Sequence, residues 1–194
     1  MIELIAVALS LACVVLAARR DVGTWPVGMV AVVAYFVVFV RAKLYADAAL
    51  QLIFLGQGAY GWTQWNRYNG ESDAHGGVHT LELRSRVLVA VGVTCASLFI
   101  GTALARYTDA SRPFLDATVS VLSLTANWLL ARRILETWAI WCTADVLYIG
   151  LFISNDLLAS AALYTLFLGL AIAGWQSWLR TTPATERTRA GWAL

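Results

Sequence analysis

Seven runs of mostly apolar residues, most of them near the ~20 residues a helix needs to cross a bilayer, fill this chain of 194 residues. They fall at about 2–18, 25–41, 44–66, 86–106, 112–131, 138–153 and 157–179. Inside lipid a lone segment must satisfy its own backbone polar groups, which leaves the helix as the spanning element. The chain therefore reads as an all-α polytopic membrane protein, one domain over 1–194. Composition agrees: 60% of residues are hydrophobic and 13% charged, against about a quarter charged in soluble domains. The sixth run is short and carries Asp145. In the first run the basic residues Arg19 and Arg20 follow the apolar stretch. That is the order of a retained helix, not of a cleaved signal peptide.

Several classes of function are disfavoured. A net charge of +2 gives no case for nucleic acid. His75 and His79 share one polar loop, 66–85, and read as solvated side chains, so no metal or other cofactor is expected. Cys13, Cys95 and Cys142 each lie in an apolar run and read as small buried residues. No Ser/His/Asp set points to an enzyme, and no Gly-rich loop ending in Gly-Lys-Ser/Thr points to ATP-driven work. The 66–85 stretch reads as a flexible loop, and the polar tail after Arg180 as disordered at its end.

Lys and Arg set the orientation. With seven spans, one side holds Arg19, Arg20, Arg67, Arg84, Arg86, Arg132, Arg133, Arg180, Arg187 and Arg189, and the other only Arg41, Lys43, Arg106 and Arg112. The richer side is expected in the cytoplasm. The N-terminus is then periplasmic and the C-terminus cytoplasmic.

The chain also resembles itself. Shifted by 113 residues, 18–67 falls on 131–180 without a gap, with 21 identities in 50 positions. Ala18-Arg19-Arg20 meets Ala131-Arg132-Arg133, Thr24-Trp25 meets Thr137-Trp138, and Gly61-Trp62 with Trp65 meets Gly174-Trp175 with Trp178. Apolar composition alone does not align tryptophans and an Arg pair. Helices 1–3 (about 2–66) and 5–7 (about 112–179) are thus expected to be two copies of one three-helix unit. A linking helix (about 86–106) returns the chain so that both run in parallel. This 3+1+3 plan resembles the SWEET sugar carriers in architecture and puts a substrate site between the repeats.

Residues kept in both copies are expected to serve the scaffold. Trp25, Trp62, Trp65, Trp138, Trp175 and Trp178 lie near the same ends of their helices and read mainly as an interfacial aromatic belt. Gly56, Gly58, Gly61, Gly169 and Gly174 read as close-packing positions. Positions where the copies differ are better site candidates. Gly28 stands against Trp141, Val32 against Asp145, Gln51 against Tyr164, Gln57 against Leu170 and Val14 against Asn127. Trp138, Trp141, Asp145 and Tyr148 are spaced 3, 4 and 3 and share one face of the sixth helix. A carboxylate at that depth is expensive and by default marks a site or pathway. Ser120, Ser123 and Asn127 share a face of the fifth helix. For Gln57 and Asn127, hydrogen bonding between helices competes with ligand contact.

Stacked aromatics with amides and a carboxylate suit a flat heteroaromatic ring bearing a hydroxylated or cationic part. No Lys or Arg lies deep in a span to hold a phosphate. A free nucleoside or vitamin fits better than a nucleotide. Leu44-Tyr45-Ala46-Asp47, Tyr60-Gly61-Trp62 with Trp65, and Asn127-Trp128-Leu129-Leu130-Ala131-Arg132-Arg133 through Glu136-Thr137-Trp138 and Trp141 resemble the PnuC family of vitamin transporters. The likeness covers nearly the whole chain and is most specific over 127–148. It implies a seven-helix carrier in a bacterial inner membrane, taking up nicotinamide riboside by facilitated diffusion, with thiamine or riboflavin carried by relatives. It also implies a homo-oligomer, a trimer, and a pocket lined by Trp138, Trp141, Gln57 and Trp62. The residues themselves add Asp145, Asn127, Tyr148 and Tyr164. A non-transporting receptor is the competing reading, which a soluble signalling domain would favour.

Overall fold

The computed structural model describes residues 2–41, 45–70, 77–108, 112–154 and 156–182. Leu44, His75 and the tail beyond 182, with Arg187 and Arg189, lie outside them. Among the described residues the chain forms seven helices: α1 (Ile2–Ala18), α2 (Thr24–Arg41), α3 (Tyr45–Gly70), α4 (Leu83–Tyr107), α5 (Pro113–Ala131), α6 (Thr137–Ile153) and α7 (Leu158–Thr181). Each matches one apolar run. Four of them, α2, α4, α5 and α7, are long and apolar enough by themselves to cross a membrane. The apolar α1 and α6 are shorter, at 17 residues each. α3 is long, at 26 residues, but its last turns are polar.

Six helices close into a ring. α1 packs on α2, α2 on α3, α3 on α5, α5 on α6, α6 on α7, and α7 returns to α1, while α4 packs chiefly on α5. The 113-residue shift recurs in the contacts. The Trp178 indole donates to the Ala17 carbonyl (3.1 Å) and the Trp65 indole to the Leu130 carbonyl (3.2 Å). The Thr24 hydroxyl donates to Cys13 O and the Thr137 hydroxyl to Ala126 O. Trp25 meets Trp65 edge-on at 5.5 Å, and Trp138 meets Trp178 edge-on at 5.6 Å. Lipid tails are as apolar as these side chains, so packing and such interhelical bonds, not water exclusion, hold the ring together.

The ends of α1 and α5 share one stop signal. Arg20 and Arg133 adopt left-handed backbone, at φ 59° and 55°. Arg20 N donates to Ala17 O and Asp21 N to Leu16 O, while Arg133 N donates to Leu130 O and Ile134 N to Leu129 O. This is the Schellman ending, usually made with glycine. Here Arg133 is buried, with its guanidinium over the Trp65 ring at 4.8 Å.

Three sequence expectations are corrected. Trp25, Trp65, Trp138 and Trp178 are not a belt, being between 0% and 4% exposed and part of one core cluster. They fit because Gly61 and Gly174 have no Cβ: one there would collide with the Trp25 and Trp138 rings respectively. Gly58 is likewise crowded, by Met29, whereas Gly56 and Gly169 meet nothing and are not packing positions in this chain. The 66–85 stretch is not one flexible loop. Its start extends α3, its end begins α4, and Val78 between them is buried in the tryptophan cluster. His79 N donates to Arg133 O and Leu135 N to His79 O. Both oxygens of Glu136 accept from Leu81 N at 3.1 Å, and Arg86 reaches the same carboxylate at 2.7 Å. The His79 side chain is exposed, as a loop histidine should be.

Candidate functional site

The ring encloses a cavity of about 420 Å³ with walls from α1, α2, α3, α5, α6 and α7. The tryptophans bound one end of it. Trp25 and Trp138 line it, while Trp65 and Trp178 stand behind them, 6.2 Å from each other. The Trp25 and Trp138 indole N–H groups are buried and have no hydrogen-bond partner among the described residues. A buried donor left unpaired costs roughly 1–3 kcal/mol, a cost that an acceptor in the cavity removes.

On α6, the 3-4-3 spacing works as the helix period dictates. Trp138, Trp141, Asp145 and Tyr148 all line the cavity. The Asp145 side chain is 5% exposed, and no described residue donates a hydrogen bond to it. Tyr164 of α7 packs on Tyr148 at 4.5 Å and also lines the cavity. Ser120, Ser123 and Asn127 of α5, the helix packed beside α6, line it as well. Six of the eight candidate residues therefore share one space.

The other two do not line it. Trp62 is 43% exposed and is no wall of the cavity. The helical period explains this: Gly61 and Trp65, four apart, turn inward and rotate the intervening Trp62 outward. Gln57 holds the scaffold instead. Its Nε2 donates to Leu124 O at 3.1 Å and its Oε1 accepts from Asn127 Nδ2 at 3.0 Å. That amide pair fastens α3 to α5 and fixes Asn127, which does line the cavity. Sequence reasoning missed Tyr35, Phe39 and Asp47 as walls. Tyr35 and Phe39 recur as Tyr148 and Phe152, and each pair is stacked with centroids 5.9 Å apart. A position shared by the repeats can therefore serve the cavity as well as the scaffold, as Tyr35 and Tyr148 both do.

Of the described residues lining the cavity, two are charged, Asp47 and Asp145, and both are acidic. A phosphate finds no Lys or Arg there. An aromatic cation finds faces to stack on and a carboxylate to offset its charge.

The chain is similar to known transport proteins in sequence and in fold. The family described as nicotinamide mononucleotide transporter matches residues 1–180. The chain is 24% identical to the nicotinamide riboside transporter PnuC of Escherichia coli strain K12, over 96% of this chain and 87% of that protein. It is 27% identical to the riboflavin/roseoflavin transporter RibM of Streptomyces davaonensis, over 88% and 80%. The fold matches the crystal structure of a vitamin B3 transporter, PnuC, with a TM-score of 0.73 at 21% identity, over 91% of this chain and 80% of that one. With seven helices in that fold and a family match over nearly its full length, the chain belongs to the nicotinamide mononucleotide transporter (PnuC) family of multi-pass membrane transporters.

Proposed function

We propose that this protein takes up nicotinamide riboside across a bacterial inner membrane by facilitated diffusion. The observation that carries the reading is the cavity itself: aromatic walls, two carboxylates and, among the described residues, no basic one. Nicotinamide riboside is a pyridinium cation without phosphate, so its ring stacks on Trp141 and its charge is met by Asp145. The riboflavin carrier RibM is a relative of similar identity, and thiamine is a second cationic aromatic of suitable kind. Riboflavin is neutral and leaves Asp145 without a counter-charge, which ranks it below the cations.

The transport reading uses the repeat. α1–α3 and α5–α7 form two parallel three-helix units about an axis along the membrane normal, joined by α4, in the 3+1+3 manner of SWEET carriers. The ring of contacts and the recurring Trp and Thr hydrogen bonds support this. The end rich in Arg faces the cytoplasm, so the N-terminus is periplasmic. The repeats and the linking helix make one transport domain, and a trimer is the assembly we infer from the family.

Uptake of labelled nicotinamide riboside into vesicles holding the purified protein tests the proposal. Vesicles without ATP or ion gradients should equilibrate the vitamin, with thiamine and riboflavin competing less well. No uptake above protein-free vesicles, or accumulation driven by an imposed proton gradient, would sink it.

A further inference from the structure

The cavity is longer than one vitamin. Its lining runs along α2 from Trp25 to Phe39, a span of ~21 Å at 1.5 Å per residue. A pyridine nucleoside is two linked rings and fills only part of that length. The two carboxylates lie at different depths. Asp145 aligns with Val32, near the middle of α2, and Val32 is also a wall. Asp47 lies two residues into α3, at the end where α2 finishes. Along the bundle the two are roughly 10 Å apart. The deep one is buried, whereas Asp47 is exposed.

The space between them is aromatic. Tyr148 lies within electrostatic range of both Asp47 and Asp145, and of Asp116 on α5. Tyr164 and Tyr35 line the same stretch. Asp116 adds charge near Asp47, and Arg112, which faces Asp116 and bonds the Ser154 hydroxyl, partly offsets it. The other repeat has Ser160 where Asp47 stands, so the scaffold does not require an acid there.

We propose that Asp47, with the Tyr35 and Tyr148 rings, forms an outer station for an aromatic monocation, which the ligand occupies before reaching Asp145. This rests on the cationic substrate proposed above. A carboxylate at the mouth raises the local concentration of cations, and the tyrosine faces carry them inward. Asp47 then selects cationic over neutral vitamins at capture, while Trp141 and Asp145 set the final affinity.

The test uses the full chain. Binding of 1-methylnicotinamide, a bare pyridinium, is followed by tryptophan fluorescence in detergent, and initial uptake of nicotinamide riboside and of riboflavin is followed in vesicles. Two binding events are expected, the weaker lost in Asp47→Asn and the tighter in Asp145→Asn. Asp47→Asn should lower kcat/KM for nicotinamide riboside by about tenfold at low salt and less at high salt, with Asp47→Glu restoring it. Asp47 also stands in the first turn of α3, where an acid suits the helix dipole, so thermal stability is measured alongside. A single binding event indifferent to Asp47 would overturn the outer station. So would an equal fall for both vitamins, or a fall that tracks lost stability. If wild-type vesicles move no vitamin at all, the transport reading fails instead, and the binding titration still reports on Asp47.

Discussion

Trp141 and Asp145 stand one turn apart on α6, where the first repeat carries Gly28 and Val32. Neither a large ring nor a charge is therefore demanded by the shared scaffold, and both side chains face the cavity. Stacking a ring on an aromatic is worth about 1–3 kcal/mol, so Trp141→Ala should weaken vitamin binding by roughly ten- to a hundredfold. Asp145→Asn keeps the shape and removes the carboxylate. It should cost more affinity for nicotinamide riboside than for neutral riboflavin. Calorimetric titration of each variant, with thermal unfolding as a control for folding, checks both. Wild-type affinity in two well-folded variants would make this face of α6 structural. These residues were legible in the sequence because they break the repeat. Trp62 was placed in the pocket by the family resemblance, and a resemblance in sequence does not say which way a side chain points. Helical phase, set by Gly61 and Trp65 on the inward side, decides that.

At the scale of elements, the segment before α4 does more than connect. Val78 is 2% exposed, and the backbone of His79 pairs on both sides with the α5–α6 turn. Glu136 pins it, taking both Leu81 N and the Arg86 guanidinium. The first repeat has Gly23 in place of Glu136, so this carboxylate belongs to the second repeat alone. Glu136→Gln preserves size but replaces charge-assisted bonds with neutral ones, a loss on the order of 1 kcal/mol. A lower Tm and faster hydrogen exchange at the amides of His79 and Leu81 should follow. Unchanged exchange would mean that Val78 packing alone holds the segment. All seven helices were visible as apolar runs, because lipid demands length and apolarity and both are written locally. The pinned segment was not visible, because its partners lie about fifty residues away and its own composition is that of a loop.

The whole molecule is organised around the contact between its halves. Trp178 of α7 bonds Ala17 of α1, and Trp65 of α3 bonds Leu130 of α5, each the image of the other under the 113-residue shift. The two rings also approach each other at 6.2 Å, behind the Trp25 and Trp138 walls of the cavity. Separating the halves at this end breaks both bonds together, which makes the tryptophan layer a single cooperative closure instead of two independent contacts. Interhelical hydrogen bonds in membranes are worth roughly 0.6–2 kcal/mol each. Trp65→Phe and Trp178→Phe each remove one donor and part of one ring, in equivalent surroundings. Each should lower Tm by a similar amount. The double variant should depart from the sum of the two, since residues in contact couple by about 0.5–3 kcal/mol. A difference in the surroundings works against strict equality: Arg133 covers Trp65, while its counterpart Arg20 is only half-buried. The comparison is therefore one of size class, read by thermal unfolding of purified protein in one detergent. If one substitution is severe and the other silent, or if the two simply add, the halves do not close as a symmetric pair.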